Sequence, residues 1–173
     1  ILSSIQIPVE RSEAPKAFEA YIKEAIVLQE GEAVEGQDAF AIDLAKEIRK
    51  PDEKRLSPLY IAEKEGEIYY IIPLQGNGLW GPIWGYVSLK EDINTVYGAT
   101  FDHKAETPGL GAEINTPVFE DQFKGKQMLD SNFSFVGIDV RQGDASSEYE
   151  VDGISGGTIT SDGVEAMILD CVK

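Results

Sequence analysis

The stretch GISGGT, from Gly153 to Thr158, holds the residues best suited to do chemistry in this chain. Gly156 and Gly157 lack a β-carbon, so the backbone N–H groups of Ser155 to Thr158 can close on an anion. A helix starting directly afterwards would add free N–H groups and a partial positive charge. A phosphate fits such a cradle, and on local pattern alone so does an ordinary glycine turn capping a helix. The loop has no P-loop lysine. On an acidic chain an uncompensated dianion would be held weakly there, and a covalent link would solve the retention problem.

Two other readings of the glycine motifs compete. GISGG also matches the nucleophile elbow G-x-S-x-G, with Ser155 as nucleophile. The one histidine, His103, precedes that serine, whereas the hydrolase order is serine, acid, histidine, so the base is missing. QGNGLWG carries Gly76, Gly78 and Gly81 in a literal G-x-G-x-x-G after a strand-like run. A dinucleotide fingerprint must lead into a helix, but Pro82 and IWGYVSL continue as a strand, so a glycine-rich β-turn is the expected structure.

The elements that would position these loops read as α+β. Residues 12–29 are rich in helix formers, with Phe18, Ile22, Ile26 and Val27 on one face, and predict an opening amphipathic helix. Alternation over Phe40–Leu44 leans to a strand, although Ala45-Lys46-Glu47 would suit a helix. Short β-type runs at 58–63, 67–74, 84–89 and 95–101, divided by Gly, Asn and Asp turns, predict an antiparallel meander. Thr116-Pro117 predicts the cap and first residue of a short helix. Further strands are expected at 133–140 and 149–152. Val164, Met167, Ile168 and Cys171 fall at i, i+3, i+4 and i+7, which predicts a C-terminal helix with one buried stripe, Cys171 being core packing. Asp162 with Glu165 has the spacing of its cap, in competition with Thr160 and Ser161.

Composition narrows the classes. The 173 residues suit one domain, 1–173. Lys+Arg 15 against Asp+Glu 31 gives a net charge of -16, which repels phosphate backbones, so no nucleic-acid partner is expected. No run approaches the roughly 18 apolar residues of a membrane span. A single cysteine leaves no cysteine cage for a metal, and no metal site is expected.

DGISGGTIT, from Asp152 to Thr160, resembles the D-x-x-[ST]-G-A-T motif at which a flavin transferase attaches flavin mononucleotide (FMN), through its phosphate, to the motif threonine. Gly157 stands where alanine is usual. ETPGLG, from Glu106 to Gly111, is similar to the second signature of these FMN-binding domains. GLWGPIWGYVSL, with its paired tryptophans, and FEDQFKGK look like the C-type subunit of the sodium-translocating NADH:quinone oxidoreductase. They look less like its relative, the G-type subunit of the Rnf complex, which stays as the alternative beside a flavin-free structural module. These blocks run from about residue 55 to the C-terminus, and the first fifty residues are less diagnostic.

The resemblance implies a single FMN-binding domain, an antiparallel sheet with flanking helices. It implies FMN joined covalently to Thr158, with Asp152, Ser155, Gly156, Gly157 and Thr160 in the attachment loop. Glu106, Thr107, Gly109 and Leu110 would lie against the isoalloxazine ring. Leu79 and Trp80 could extend that apolar wall, Trp80 serving equally well as core filler. No residue is expected to act as general acid or base. The implied role is an electron relay without turnover of its own, within a membrane complex whose other subunits are its partners. Maturation would need a flavin transferase, and the domain would face the periplasm behind an N-terminal anchor that this chain lacks.

Overall fold

The computed structural model describes residues 1–173. The elements in chain order are α1 (Ala14–Tyr21), β1 (Ile22–Gln29), β2 (Glu32–Ala33), α2 (Leu44–Glu47), β3 (Ser57–Lys64), β4 (Glu67–Asn77), β5 (Pro82–Lys90), β6 (Val96–His103), α3 (Pro117–Glu120), β7 (Asp139–Arg141), β8 (Glu150–Asp152) and α4 (Thr158–Val172), with short 3-10 turns between several of them. Six strands form one antiparallel sheet in the order β2-β1-β3-β4-β5-β6, and β7 and β8 pair in parallel apart from it. The fold is α+β, as the sequence predicts.

Period-two alternation builds a core on each face of the sheet. On β4, Tyr69 and Ile71 join a cluster with Ile5, Ile22 and Tyr60 from the N-terminal part of the chain. Leu74 joins the opposite cluster, with Ile83, Val87 and Phe101 of β5 and β6 and with Val164, Met167 and Ile168 of α4. The three α4 side chains are almost wholly buried, each worth about 1.5–3 kcal/mol. Cys171 is half-buried against the same cluster.

The four central strands fall where the alternation predicts, and four other expectations are corrected. The helix predicted over 12–29 stops at Tyr21. From Ile22 the chain is a strand, because β-branched Ile22, Ile26 and Val27 pair with β3, Val27 lying opposite Pro58. Residues 40–44 are not a strand: a 3-10 turn covers Ala39–Ala41, where Asp38 accepts from the Phe40 N–H, and α2 follows. The strand expected over 133–140 shrinks to β7, because Phe133 has φ 59 and Gly137 φ 71, both outside the β region. The cap of α4 also differs. The helix begins at Thr158 with Gly157 at the cap position and no side-chain cap bond, so Asp162 lies inside it. Glu165 instead accepts from the Val140 N–H at 2.8 Å, tying α4 to β7.

Candidate flavin site

The sheet register gathers the three motif loops at one end. Asn77 at the end of β4 pairs with Pro82, and His103 at the end of β6 pairs with Ile83, so the 78–81 turn and the loop after β6 emerge side by side. The turn is closed by the Gly78 N–H donating to Gly81 O at 2.8 Å and continues as β5. The G-x-G-x-x-G is a β-turn without the helix a dinucleotide would need. The first turn of α4 faces both loops across a cavity of about 340 Å³, within the size range of small-ligand sites.

Nine of the twelve residues expected at the site line this cavity: Leu79 and Trp80 from the turn, Glu106, Thr107 and Leu110 from the loop after β6, and Gly156, Gly157, Thr158 and Thr160 from the attachment loop. Three do not. Gly109 lies outside, its N–H donating to Glu113 Oε1 at 2.8 Å. Ser155 is exposed beyond the rim. Asp152 sits behind the loop, where its Oδ1 accepts from the Ala145 N–H at 2.9 Å and its backbone pairs with the Gln122 amide. A larger groove, about 680 Å³, lies by the C-terminal end of α4 and contains none of the expected residues.

Glu106 holds the three loops together. Although its side chain is almost fully enclosed, its Oε2 accepts from the Thr160 hydroxyl at 2.6 Å and its Oε1 from the Trp80 N–H at 2.7 Å. The Leu79 N–H points at the same threonine oxygen at 3.4 Å. Gly111 is required by this packing, since a β-carbon there would lie 2.4 Å from Glu106 Oε2 and 2.5 Å from Thr160 Oγ1. Gly156 meets a second requirement: its φ is 74, and a β-carbon would fall 2.7 Å from Leu110 Cδ2. His103 accepts from the Glu106 N–H through Nδ1 at 3.2 Å, a structural contact. With that nitrogen committed and the Ser155 hydroxyl unbonded, no serine–histidine pair exists, and the hydrolase reading falls.

The two motif threonines have opposite environments. Thr160 is 1% exposed and its hydroxyl is committed to Glu106. The Thr158 side chain is exposed, its hydroxyl donating to Gln142 Oε1 at 2.9 Å. The N–H groups of Thr158, Ile159 and Thr160 make no backbone hydrogen bond, so three donors of the helix N-terminus are free beside that hydroxyl. The Gly157 N–H is not among them, as it donates to Ile154 O at 2.8 Å in the turn. Glu106 is the only charged residue lining the cavity, and no Lys or Arg faces it. Around the opening stand uncovered apolar side chains: Leu79 at 50% exposure, Trp80 at 63%, Leu110 at 41% and Ile159 at 56%. Trp80 is therefore not core filler. Flat apolar walls beside free N–H donors suit a flavin with a phosphate tail.

The family model described as FMN-binding domain matches residues 78–173, which include all three loops. The C-type subunit of the Na(+)-translocating NADH-quinone reductase of Vibrio anguillarum is 35% identical over 176 residues, covering 90% of this chain and 68% of that protein. The chain belongs to this family of C-type subunits. The Vibrio campbellii member is likewise 35% identical, with 92% of this chain and 70% of that protein covered, so the chain spans about two thirds of these relatives. The crystal structure of the Parabacteroides distasonis member aligns at a TM-score of 0.88 and 46% identity over 99% of this chain and 85% of that one. Shewanella oneidensis NqrC, at 22% identity and a TM-score of 0.81 over 97% of this chain and 86% of that one, shares the fold.

Sequence reading missed Ile159, Gly111, Ser161 and Gln142. Ile159 was detectable as an apolar residue off the buried stripe of α4. Ser161 is buried and its Oγ accepts from the Ile154 N–H at 2.9 Å, shaping the loop from inside the helix. Gln142 carries no local signal, because its contact spans sixteen residues.

Proposed function

We propose that this chain carries FMN as a phosphoester on Thr158 and passes electrons between partner subunits of a Na(+)-translocating NADH-quinone reductase. The supporting observation is the contrast between the threonines: one hydroxyl is open to an incoming phosphate beside three free N–H donors, and the other is sealed against Glu106. Bound FMN supplies reversible one- and two-electron chemistry.

The chain's own residues divide the remaining work. The N–H groups of Thr158, Ile159 and Thr160 meet phosphate oxygens. Leu79, Trp80, Leu110 and Ile159 shield the ring from water on their side, and the open mouth leaves an edge accessible to a partner. Thr107 and Glu106 hold the ring-facing loop in register. The cavity lining offers no cationic side chain, and the chain as a whole carries a charge of -16. A free flavin phosphate would therefore be retained poorly, and the ester replaces that missing affinity. The resemblance adds a flavin transferase for maturation and an extracytoplasmic position in the membrane complex, both part of the proposal.

Coexpression with a flavin transferase tests the assignment. Thr158→Ala should give protein without in-gel flavin fluorescence, and Thr160→Ala should keep fluorescence at reduced stability. Fluorescent Thr158→Ala protein would refute it.

A further inference from the structure

We propose that Gln142 is the positioning residue for the Thr158 hydroxyl during flavin attachment, an inference that rests on Thr158 being the attachment site. Three observations carry it. Thr158 Oγ has one partner, Gln142 Oε1 at 2.9 Å, and that bond directs the hydroxyl proton toward the amide, leaving the oxygen lone pairs for an electrophile. The loop bearing Gln142 is fixed at both ends to the strand leading into the attachment loop: the Gly153 N–H donates to Arg141 O at 2.7 Å, and the Ala145 N–H donates to Asp152 Oδ1. Asp152, which never reaches the cavity, thereby acts on Thr158 through Gln142. Finally, Gln142 borders a recess lined by four carboxylates, Asp139, Asp144, Asp162 and Glu165, against the one cation Arg141, which pairs with Asp139, so its amide is a neutral polar side chain shared by a net acidic recess and the Thr158 hydroxyl.

An amide suits both sides of the reaction. The donor must be a phosphoanhydride of FMN, of which flavin adenine dinucleotide is one. Thr158 Oγ bonds to the flavin-side phosphorus, the anhydride P–O bond breaks, adenosine monophosphate leaves, and the hydroxyl proton passes to solvent. Nothing is oxidised or reduced. Before attachment, Gln142 Oε1 accepts from the hydroxyl. Afterwards Oγ has no proton, and the amide can turn so that Nε2 donates to a phosphate oxygen. A carboxylate at this position could do only the first, and would add a negative charge beside the phosphate on an already net acidic recess.

The test is the initial rate of labelling of the chain by a purified flavin transferase with flavin adenine dinucleotide, at low and high salt, with the thermal midpoint of each variant and mass mapping of the labelled residue. Gln142→Ala should label about five- to tenfold more slowly at both salt concentrations, the loss expected for one positioning hydrogen bond. Gln142→Glu keeps the acceptor and adds charge. It should label slowly at low salt and recover toward the wild-type rate at high salt, as screened repulsion requires. Asp152→Asn, which retains the acceptor for Ala145, should label faster than Asp152→Ala. Wild-type rates for Gln142→Ala, or identical behaviour of the Ala and Glu variants at every salt concentration, would overturn the role of Gln142 while leaving Thr158 in place. Label mapped to another residue in the wild-type chain would overturn the attachment site itself.

Discussion

Removing the Glu106 carboxylate should be among the most costly single changes at the site, and the conservative amide should be far milder. Glu106→Ala deletes acceptors for the Thr160 hydroxyl and the Trp80 N–H, the former in a fully buried position, and empties the space that Gly78 and Gly111 leave for the side chain. Hydrogen bonds to a charged acceptor contribute about 1.5–3 kcal/mol each, and a buried donor left unpaired costs a similar amount. With partial relaxation the expected loss is about 4 kcal/mol, or roughly 8–16 °C in unfolding midpoint for a chain of this size. Glu106→Gln can keep Oε1 on the Trp80 N–H and turn Nε2 toward Thr160 Oγ, because a hydroxyl accepts as well as donates. It should cost about 1 kcal/mol. Urea unfolding of the unflavinylated chain isolates this from cofactor effects. A Glu106→Ala loss under about 1 kcal/mol, or an amide variant as damaged as the alanine one, would show that Glu106 does not bind the three loops together.

Gly163→Ala improves helix propensity by about 1 kcal/mol, yet the added β-carbon would sit 2.3 Å from Asn77 O where α4 crosses β4. The net effect should be a destabilisation of about 2 kcal/mol, read as a lower melting midpoint, and a rise would contradict the close crossing. Burial, with Asp139 and Asp162 nearby, pushes the Glu165 carboxyl above the ordinary glutamate value. The folded chain therefore holds that proton more tightly than the unfolded chain, and stability contributed by the protonated form is lost as pH rises from the unfolded value through the raised folded one. Glu165→Gln, which can still accept from the Val140 N–H, should raise the urea midpoint at pH 7 and have no such effect below the unfolded value of about 4.3. Equal effects at both pH values would refute it. On flavinylated protein, Leu110→Lys should raise the flavin reduction potential, since an added positive charge favours the reduced, more negative ring. Superimposable redox titrations would remove Leu110 from the ring's surroundings.

Local pattern carried the central strands, the C-terminal helix and the three loops, because alternation and the buried stripe are short-range signals. It failed where tertiary pairing overrides propensity. Residues 22–29 are composed like a helix, but their β-branched members fill the sheet edge beside β3. Residues 133–140 are composed like a strand, but Phe133 and Gly137 turn the chain. At the site, the resemblance named nine residues that do line one cavity, while the reasons for several came only with the fold. Glu106 reads as a member of the ring-facing block, and its role in tying the loops together appears only with its bonds to the buried Thr160 hydroxyl and the Trp80 N–H. Asp152 reads only as a member of the attachment-loop motif, and its contact with the Ala145 N–H behind the loop comes only with the fold. Gln142 is invisible locally, since nothing sixteen residues upstream of Thr158 marks it as that hydroxyl's partner.

The attachment of FMN to Thr158 is tested most directly by the intact mass and peptide map of the chain after coexpression with a flavin transferase. The expected result is one added FMN less one water per chain, carried on the peptide containing Thr158 and fragmenting at that residue, with Thr160 unmodified. An unmodified chain in the presence of active transferase, or flavin mapped to any residue other than Thr158, would contradict it.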